Sequence, residues 1–162
     1  MNAIVSVTRD WAIGLEGGLL VHGKADMHRF VELTMGGTVL MGRKTLESFP
    51  GGPLKGRRNV VLSRDPLYSP EGVECCHSIE EALAAVAPDD PNAVWLIGGA
   101  SLYAALIDKC DRAYVTKNDV LLPADAWFPN LDADPAWQVE KVETGGVTKR
   151  GIPFEFVTYR HV

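Results

Sequence analysis

Asp26 is the one carboxylate in the stretch "VHGKADMHRF" (21–30), and it stands where an apolar helix begins. An acid in the opening turn of a helix is stabilised by the macrodipole, so its position alone assigns it no chemistry. Two other places carry more. In "LMGRKT" (40–45) and "LIGGAS" (96–101) a buried-strand pattern turns through glycine into a helix pattern. Helix starts of this kind present backbone N–H groups without intrahelical partners, and these suit an anion. One such junction is explained by a tight turn alone; two in one small chain shift the balance toward a ligand. The first adds Arg43, Lys44 and Thr45, and the strand "NVVLSR" ends in Ser63 and Arg64, so a parallel arrangement brings both ends to one basic rim. Each charge-assisted hydrogen bond to a phosphate contributes about 1.5 to 3 kcal/mol, and such a rim favours NADPH, with its 2′-phosphate, over NADH. The same residues, taken alone, also fit a solvated charged edge.

The elements that must hold these residues follow from periodicity. "NAIVSV" from residue 2 reads as a buried strand, and "TRDWAIGLEGGLL" after it as a mobile loop with glycines at 14, 17 and 18. "ADMHRFVELTM" places Met27, Phe30, Val31 and Met35 at helical spacing, which predicts a stripe facing a core. "GTVLMG" and "NVVLS" are continuous apolar runs, the mark of parallel strands covered on both sides, with "RKTLESF" a short helix between them. Ser78 and Glu81 stand in capping-box spacing before a helix in "SIEEALAAV". "AVWLIGG" runs as a strand into the helix "ASLYAALI", and "RAYVTKNDV" is a further strand. "WQVEKVET" and "PFEFVTYRHV" alternate as an antiparallel pair at a sheet edge. The whole predicts one α/β domain over residues 1–162: a mixed, mainly parallel central sheet flanked by helices, with an antiparallel C-terminal edge. Ligands in such sheets gather beyond the carboxyl ends of the strands.

Composition narrows the partners. A chain of 162 residues fits one domain with a real core. Its net charge of −5 argues against a nucleic acid or an anionic membrane as main partner. Three cysteines, at 75, 76 and 110, form neither an even disulfide framework nor a metal spacing, which fits free thiols in a reducing cytoplasm. The N-terminal residues lack the pattern of a secretory signal, and no apolar run reaches the length of a membrane span. The four histidines lack clustered partners at ligand spacing, so no metal is expected.

In order along the chain, "WAIG", "ADMHRF", "VLMGRKTLESF", "PLKGRRNVVLS", "WLIGGASLY", "YVT" and "ADAWFP" resemble the segments of the dihydrofolate reductase family. The resemblance spans nearly the whole chain. It implies hydride transfer from NADPH to 7,8-dihydrofolate, giving 5,6,7,8-tetrahydrofolate for one-carbon and thymidylate metabolism, by a cytoplasmic monomer open to antifolates. On this resemblance Asp26 matches the lone acid of the pterin pocket. There a carboxylate accepts two hydrogen bonds from the N–C–N edge of the ring and supports protonation at N5 through water. Burial beside Phe30 and Leu54 disfavours its charged form. Thr116 matches the partner of that carboxylate, and Ile4, Val5, Phe30, Leu54 and Ile97 the wall around pterin and benzoyl groups. Arg57 matches the arginine on the glutamate tail, where a planar fork suits a carboxylate; Arg58 is read as merely solvated.

The same resemblance assigns Gly42, Arg43, Lys44, Thr45, Leu62, Ser63 and Arg64 to the adenosine-phosphate region, and Gly98, Gly99, Ala100, Ser101 and Leu102 to the pyrophosphate turn. Ser6, Ile97 and Tyr103 border the nicotinamide. Ile13 and Gly14 open a lid whose closure excludes water, with Leu19 as its side chain over the site. The chain departs from the family pattern after the lid: Leu20 and Val21 stand where Pro-Trp is usual, followed by His22, Gly23 and Lys24. Val21 lacks the indole donor and much of its area. Ser101 replaces a basic residue in the pyrophosphate turn, leaving backbone N–H groups to meet the phosphates. Two other readings stay open on these grounds: a reductase of the riboflavin-pathway type acting on a related heterocycle, and a low-turnover module that binds pterin and NADPH.

Overall fold

The computed structural model describes residues 1–162. In chain order it runs β1 (Asn2–Val7), β2 (Ala12–Leu15), β3 (Gly18–Leu19), α1 (Lys24–Thr34), β4 (Thr38–Gly42), α2 (Arg43–Glu47), β5 (Arg58–Leu62) and β6 (Glu74–Cys76). There follow α3 (Ile79–Val86), β7 (Val94–Gly98), α4 (Ala100–Leu106), β8 (Arg112–Asn118), β9 (Ala126–Trp127), β10 (Trp137–Val147) and β11 (Pro153–His161). Eight strands form one sheet in the order β10-β11-β8-β1-β7-β4-β5-β6. From β8 to β6 every neighbour is parallel, and β11 and β10 add the antiparallel edge. The continuous apolar runs are the central strands, where both faces are covered.

Side chains alternate across the sheet and divide the core in two. Ala3, Val5, Val7, Leu40, Val60 and Leu96 face α3 and α4 in the larger cluster. Val39, Met41, Val61 and Trp95 face the other way, joined by Leu46 and by the half-buried Ile4, Leu33, Leu54, Ile97 and Tyr114. Ser78 caps α3 by accepting from the Glu81 N–H, as its spacing predicts. No helix is long and apolar enough to cross a membrane.

Two expectations fail. The stripe on α1 does not face a core: Met27, Val31 and Met35 are 55, 36 and 49% exposed, and only Thr34 of that helix is buried. Periodicity identifies residues that share a face but not what that face meets. The stretch read as a mobile loop is a second, three-stranded sheet, β3-β2-β9. Its local sequence is too glycine-rich to show strand character; pairing with β9, more than a hundred residues away, supplies the order. The short strands β6 and β9 carry too few residues to show a period.

Candidate active site

β1 and β7 part company after two register pairs. They pair only at Asn2 with Trp95 and Ala3 with Leu96, while β1 stays paired with β8 through Val7. The Tyr103 hydroxyl of α4 donates to the Ile4 carbonyl at 2.6 Å in that gap. Ile4, Leu54 and Ile97 lie half-buried together against the smaller core cluster. Phe30 is half-buried on α1. Val5 does not join this wall: its side chain points through the sheet into the larger cluster, because neighbouring strand residues face opposite sides.

Asp26 sits in the first turn of α1, which starts after Gly23. Thr116 of β8 donates its hydroxyl to Asp26 Oδ1, leaving the second carboxylate oxygen free for another donor. Burial pushes the Asp26 carboxyl above the usual carboxylate range, against the Thr116 hydrogen bond and the charge of Arg29, which pull it down. The acid lines a small cleft with Ser6, Val21, Gly23, Asn118, Thr148 and Phe154. Asn118, which the sequence reading missed, donates to Ser6 Oγ at 2.8 Å and to the Val7 carbonyl at 2.9 Å, so it fixes Ser6 and the end of β1 together. His22 is exposed.

The two neighbouring arginines divide sharply. Arg57 donates from Nη1 to Thr34 Oγ1 at 3.1 Å and from Nε to the Lys55 carbonyl at 3.0 Å, and it has no carboxylate partner. Arg58, expected to be solvated, is a structural clamp. Its Nη2 meets Glu74 at 2.8 Å and its Nη1 meets Asp89 at 2.7 Å, joining β5, β6 and the turn after α3. The pairing of β5 with β6 delivers Glu74 and the turn after α3 delivers Asp89, neither visible in the local sequence.

Gly42 and Leu62 are register partners, so the ends of β4 and β5 reach one rim. Ser63 is buried there, its carbonyl meeting His77 Nδ1 at 2.9 Å, and Leu62 packs on the larger core; Lys44 and Arg64 are exposed. The rim is less basic than the sequence reading implies. Arg43 stacks on Tyr68 at 4.1 Å and pairs with Glu47 at 3.3 Å and Asp65 at 3.5 Å. Those two acids partly neutralise the guanidinium.

The second glycine junction lies beside the first, since Met41 pairs with Gly98. Gly98 has φ +136, and a Cβ there would come 3.2 Å from Thr45 Oγ1. The turn between β7 and α4 therefore leaves a close space beside the Thr45 and Tyr103 side chains that a Cβ would fill. Ala100 and Ser101 open α4 at its rim, while the Leu102 and Tyr103 side chains are buried in the core, so Leu102 offers only its backbone.

The segment expected to form a lid is tied down. Gly14 accepts from the Asp125 N–H at 3.0 Å, and Asp125 Oδ2 accepts from the Glu16 N–H at 3.0 Å. A Cβ on Gly14 would meet the Gly18 carbonyl at 3.0 Å, which explains glycine there. Ile13 packs on the core, and Leu19 is 57% exposed on β3. Asp125 carries no signal in the sequence that marks it as the latch.

The sequence model for the family described as dihydrofolate reductase matches residues 1–161. Dihydrofolate reductase type 3 of Salmonella typhimurium is 38% identical over 159 residues, covering 98% of this chain and 96% of that protein. The dihydrofolate reductase of Neisseria gonorrhoeae is 34% identical with the same coverage. Among solved structures, a dihydrofolate reductase from Enterococcus faecalis complexed with NADP(H) and RAB-propyl superposes with a TM-score of 0.88 at 32% identity, over 99% of this chain and 95% of that one.

Proposed function

The chain belongs to the dihydrofolate reductase family, and from that premise we propose that it reduces 7,8-dihydrofolate to 5,6,7,8-tetrahydrofolate with NADPH, Asp26 anchoring the pterin. The observation that carries this reading is a lone carboxylate, braced by Thr116, in a small cleft it shares with Ser6 of β1, the strand whose Ile4 carbonyl accepts from Tyr103 of the helix that follows Gly98 and Gly99. With Oδ1 engaged by Thr116, Oδ2 and the remaining lone pairs accept the paired N–H groups of the pterin edge. The raised proton affinity of the buried carboxyl suits it to sharing a proton with the ring, so that N5 is protonated near neutral pH. Ile4, Leu54, Phe30 and Ile97 form the apolar wall, and Arg57, free of any acid, holds the glutamate tail.

The cradle at Gly98 and Gly99 fits a pyrophosphate, and Lys44, Arg64 and Arg43 at the neighbouring rim fit a 2′-phosphate. When bound, NADPH supplies the hydride. The lid, latched to Asp125 through Gly14 and Glu16, excludes water from the reacting face. The same reading makes the enzyme a cytoplasmic monomer, suited to its three free thiols, with antifolates competing at the Asp26 edge.

The test is consumption of NADPH by the purified chain with and without dihydrofolate. Acceleration by dihydrofolate supports the assignment; binding of both ligands without turnover would leave only a binding module. A second measurement concerns the rim. Neutralising Lys44 and Arg64 together, as K44Q/R64Q, is expected to weaken NADPH about tenfold or more and NADH little, because each lost charge-assisted contact to phosphate costs about 1.5 kcal/mol or more. Equal losses for the two cofactors reject the 2′-phosphate pocket.

A further inference from the structure

Arg29 follows Asp26 by one turn of α1, and the activity proposed above gives it no part. A single row of side chains crosses four strands beneath that helix. Glu143 of β10 pairs in register with Phe156 of β11, Phe156 with Thr116 of β8, and Thr116 with Ser6 of β1. Asp26 bonds to the Thr116 position of this row. Arg29 lies over the next two, its guanidinium carbon 4.1 Å from the Phe156 ring centre and its Nη2 3.2 Å from Glu143 Oε2. The Tyr114 ring, 5.9 Å away, flanks it, and the side chain is only 16% exposed. A half-buried cation on a flat aromatic ring has little freedom to move away, and neighbouring strands stand about 4.8 Å apart. The guanidinium is therefore held about one to two strand spacings from the carboxylate in a poorly screened position.

We propose that Arg29 is a positioning residue for the reaction: clamped on Phe156 by Glu143, its charge holds Asp26 toward the ionised form and so sets the pH range over which the enzyme turns over. Glu143 meters the effect, because a counter-charge on Arg29 weakens the field at Asp26. The other groups facing this pair are few. Thr116 from β8 donates a hydrogen bond, and Tyr103 from α4 stays a neutral phenol, pushed well above its ordinary range by burial. Tyr114 from β8 presents its ring to Arg29, and Lys141 flanks Glu143 on β10 at 3.3 Å. On α1 itself His28 pairs with Glu32 on the solvent side.

The signs are opposite for the two partners. Arg29→Gln removes the positive neighbour, so Asp26 and the pterin retain their shared proton to higher pH, and the alkaline limb of the hydride-transfer profile moves up. Glu143→Gln leaves Arg29 uncompensated and moves the limb down. Charges at these separations produce shifts of about half a pH unit or more. Arg29→Lys keeps the charge and restores the wild-type midpoint, which a purely packing role for Arg29 would not do. Glu143 is 41% exposed, so its substitution leaves the fold intact.

The experiment is the pH dependence of single-turnover hydride transfer in the wild type and the three variants, paired with an NMR titration of the Asp26 carboxyl carbon in the ligand-free proteins. The expected result is an upward shift for R29Q, a downward one for E143Q and a wild-type midpoint for R29K, in both readouts. Identical midpoints for R29Q and R29K, or shifts of the same sign for R29Q and E143Q, would overturn it. The inference rests on the proposed reductase activity for its kinetic arm only. A wild type that fails to reduce dihydrofolate overturns that activity, while the titration still decides the coupling between Arg29 and Asp26.

Discussion

Asp26→Asn is expected to slow dihydrofolate reduction at neutral pH by about 100- to 10,000-fold, the range set by loss of a positioned acid–base group. The amide keeps the size of the side chain, and its oxygen can still accept from Thr116. It loses the charge that draws a proton onto the pterin and one of the two acceptors that grip the ring edge. NADPH affinity is expected to stay unchanged, since the proposed cofactor cradle lies on the β4 and β7 junctions rather than on α1. Single-turnover rates across pH, with NADPH binding followed by fluorescence, separate the two effects; undiminished turnover removes Asp26 from its proposed role.

The same substitution carries a stability signature of definite sign. Burial raises the Asp26 carboxyl above its unfolded value, so the protonated form is favoured in the fold. Its contribution is fully present below the unfolded pKa and is lost as pH rises through the folded one; above that, the buried charge weighs against folding. Asp26→Asn is therefore expected to melt higher than the wild type near neutral pH, with the advantage vanishing in acid. Inactivity together with higher stability cannot come from misfolding. A lower melting temperature at neutral pH would show that the carboxylate is better compensated than its surroundings suggest.

Gly98→Ala is expected to weaken NADPH by about 5- to 150-fold, the equivalent of about 1 to 3 kcal/mol of backbone strain transferred into a shifted turn. Gly98 has φ +136, a region closed to residues with a Cβ, and the added methyl would lie 3.2 Å from Thr45 Oγ1 at the neighbouring junction. Either the turn moves or Thr45 does, and both belong to the cradle. Gly51→Ala is the control, because a Cβ there meets nothing within 4 Å and its φ is not positive. Calorimetric titration with NADPH distinguishes them: unchanged binding in Gly98→Ala would reject the cradle, and dihydrofolate affinity is expected to change little in either variant.

Some of this was legible residue by residue. The central strands declare themselves as apolar runs because both their faces are covered. Of the two glycine junctions only the second needs its glycine for backbone reasons, since Gly98 has φ +136 whereas Gly42 has φ −82. Asp26 falls in a first helical turn, as its neighbours imply. Other readings failed where a residue's surroundings come from elsewhere. Val5 turned away from its expected wall because Ile4 takes that face. Arg58 became a clamp because β6 and the turn after α3 bring Glu74 and Asp89 to it. The rim near Arg43 proved partly neutralised by Glu47, one helical turn on, and by Asp65, next to Arg64, acids whose direction was not readable in the sequence.

The amino-acid order by itself determined the alternation of strands and helices, the two glycine turns, and the presence of one acid at the mouth of the first helix. These are local properties, settled by side-chain period and backbone sterics over a few residues. Only the tertiary structure decided what that acid feels. Thr116 reaches it across 90 residues, Glu143 reaches Arg29 across 114, and Asp125 holds the Glu16 N–H across 109. Such pairings depend on which strands lie side by side and in what register, and no window of sequence contains both partners. The charge state of Asp26 follows first from its burial, then from Thr116 and Arg29, and burial belongs to the fold rather than to the segment that carries the residue.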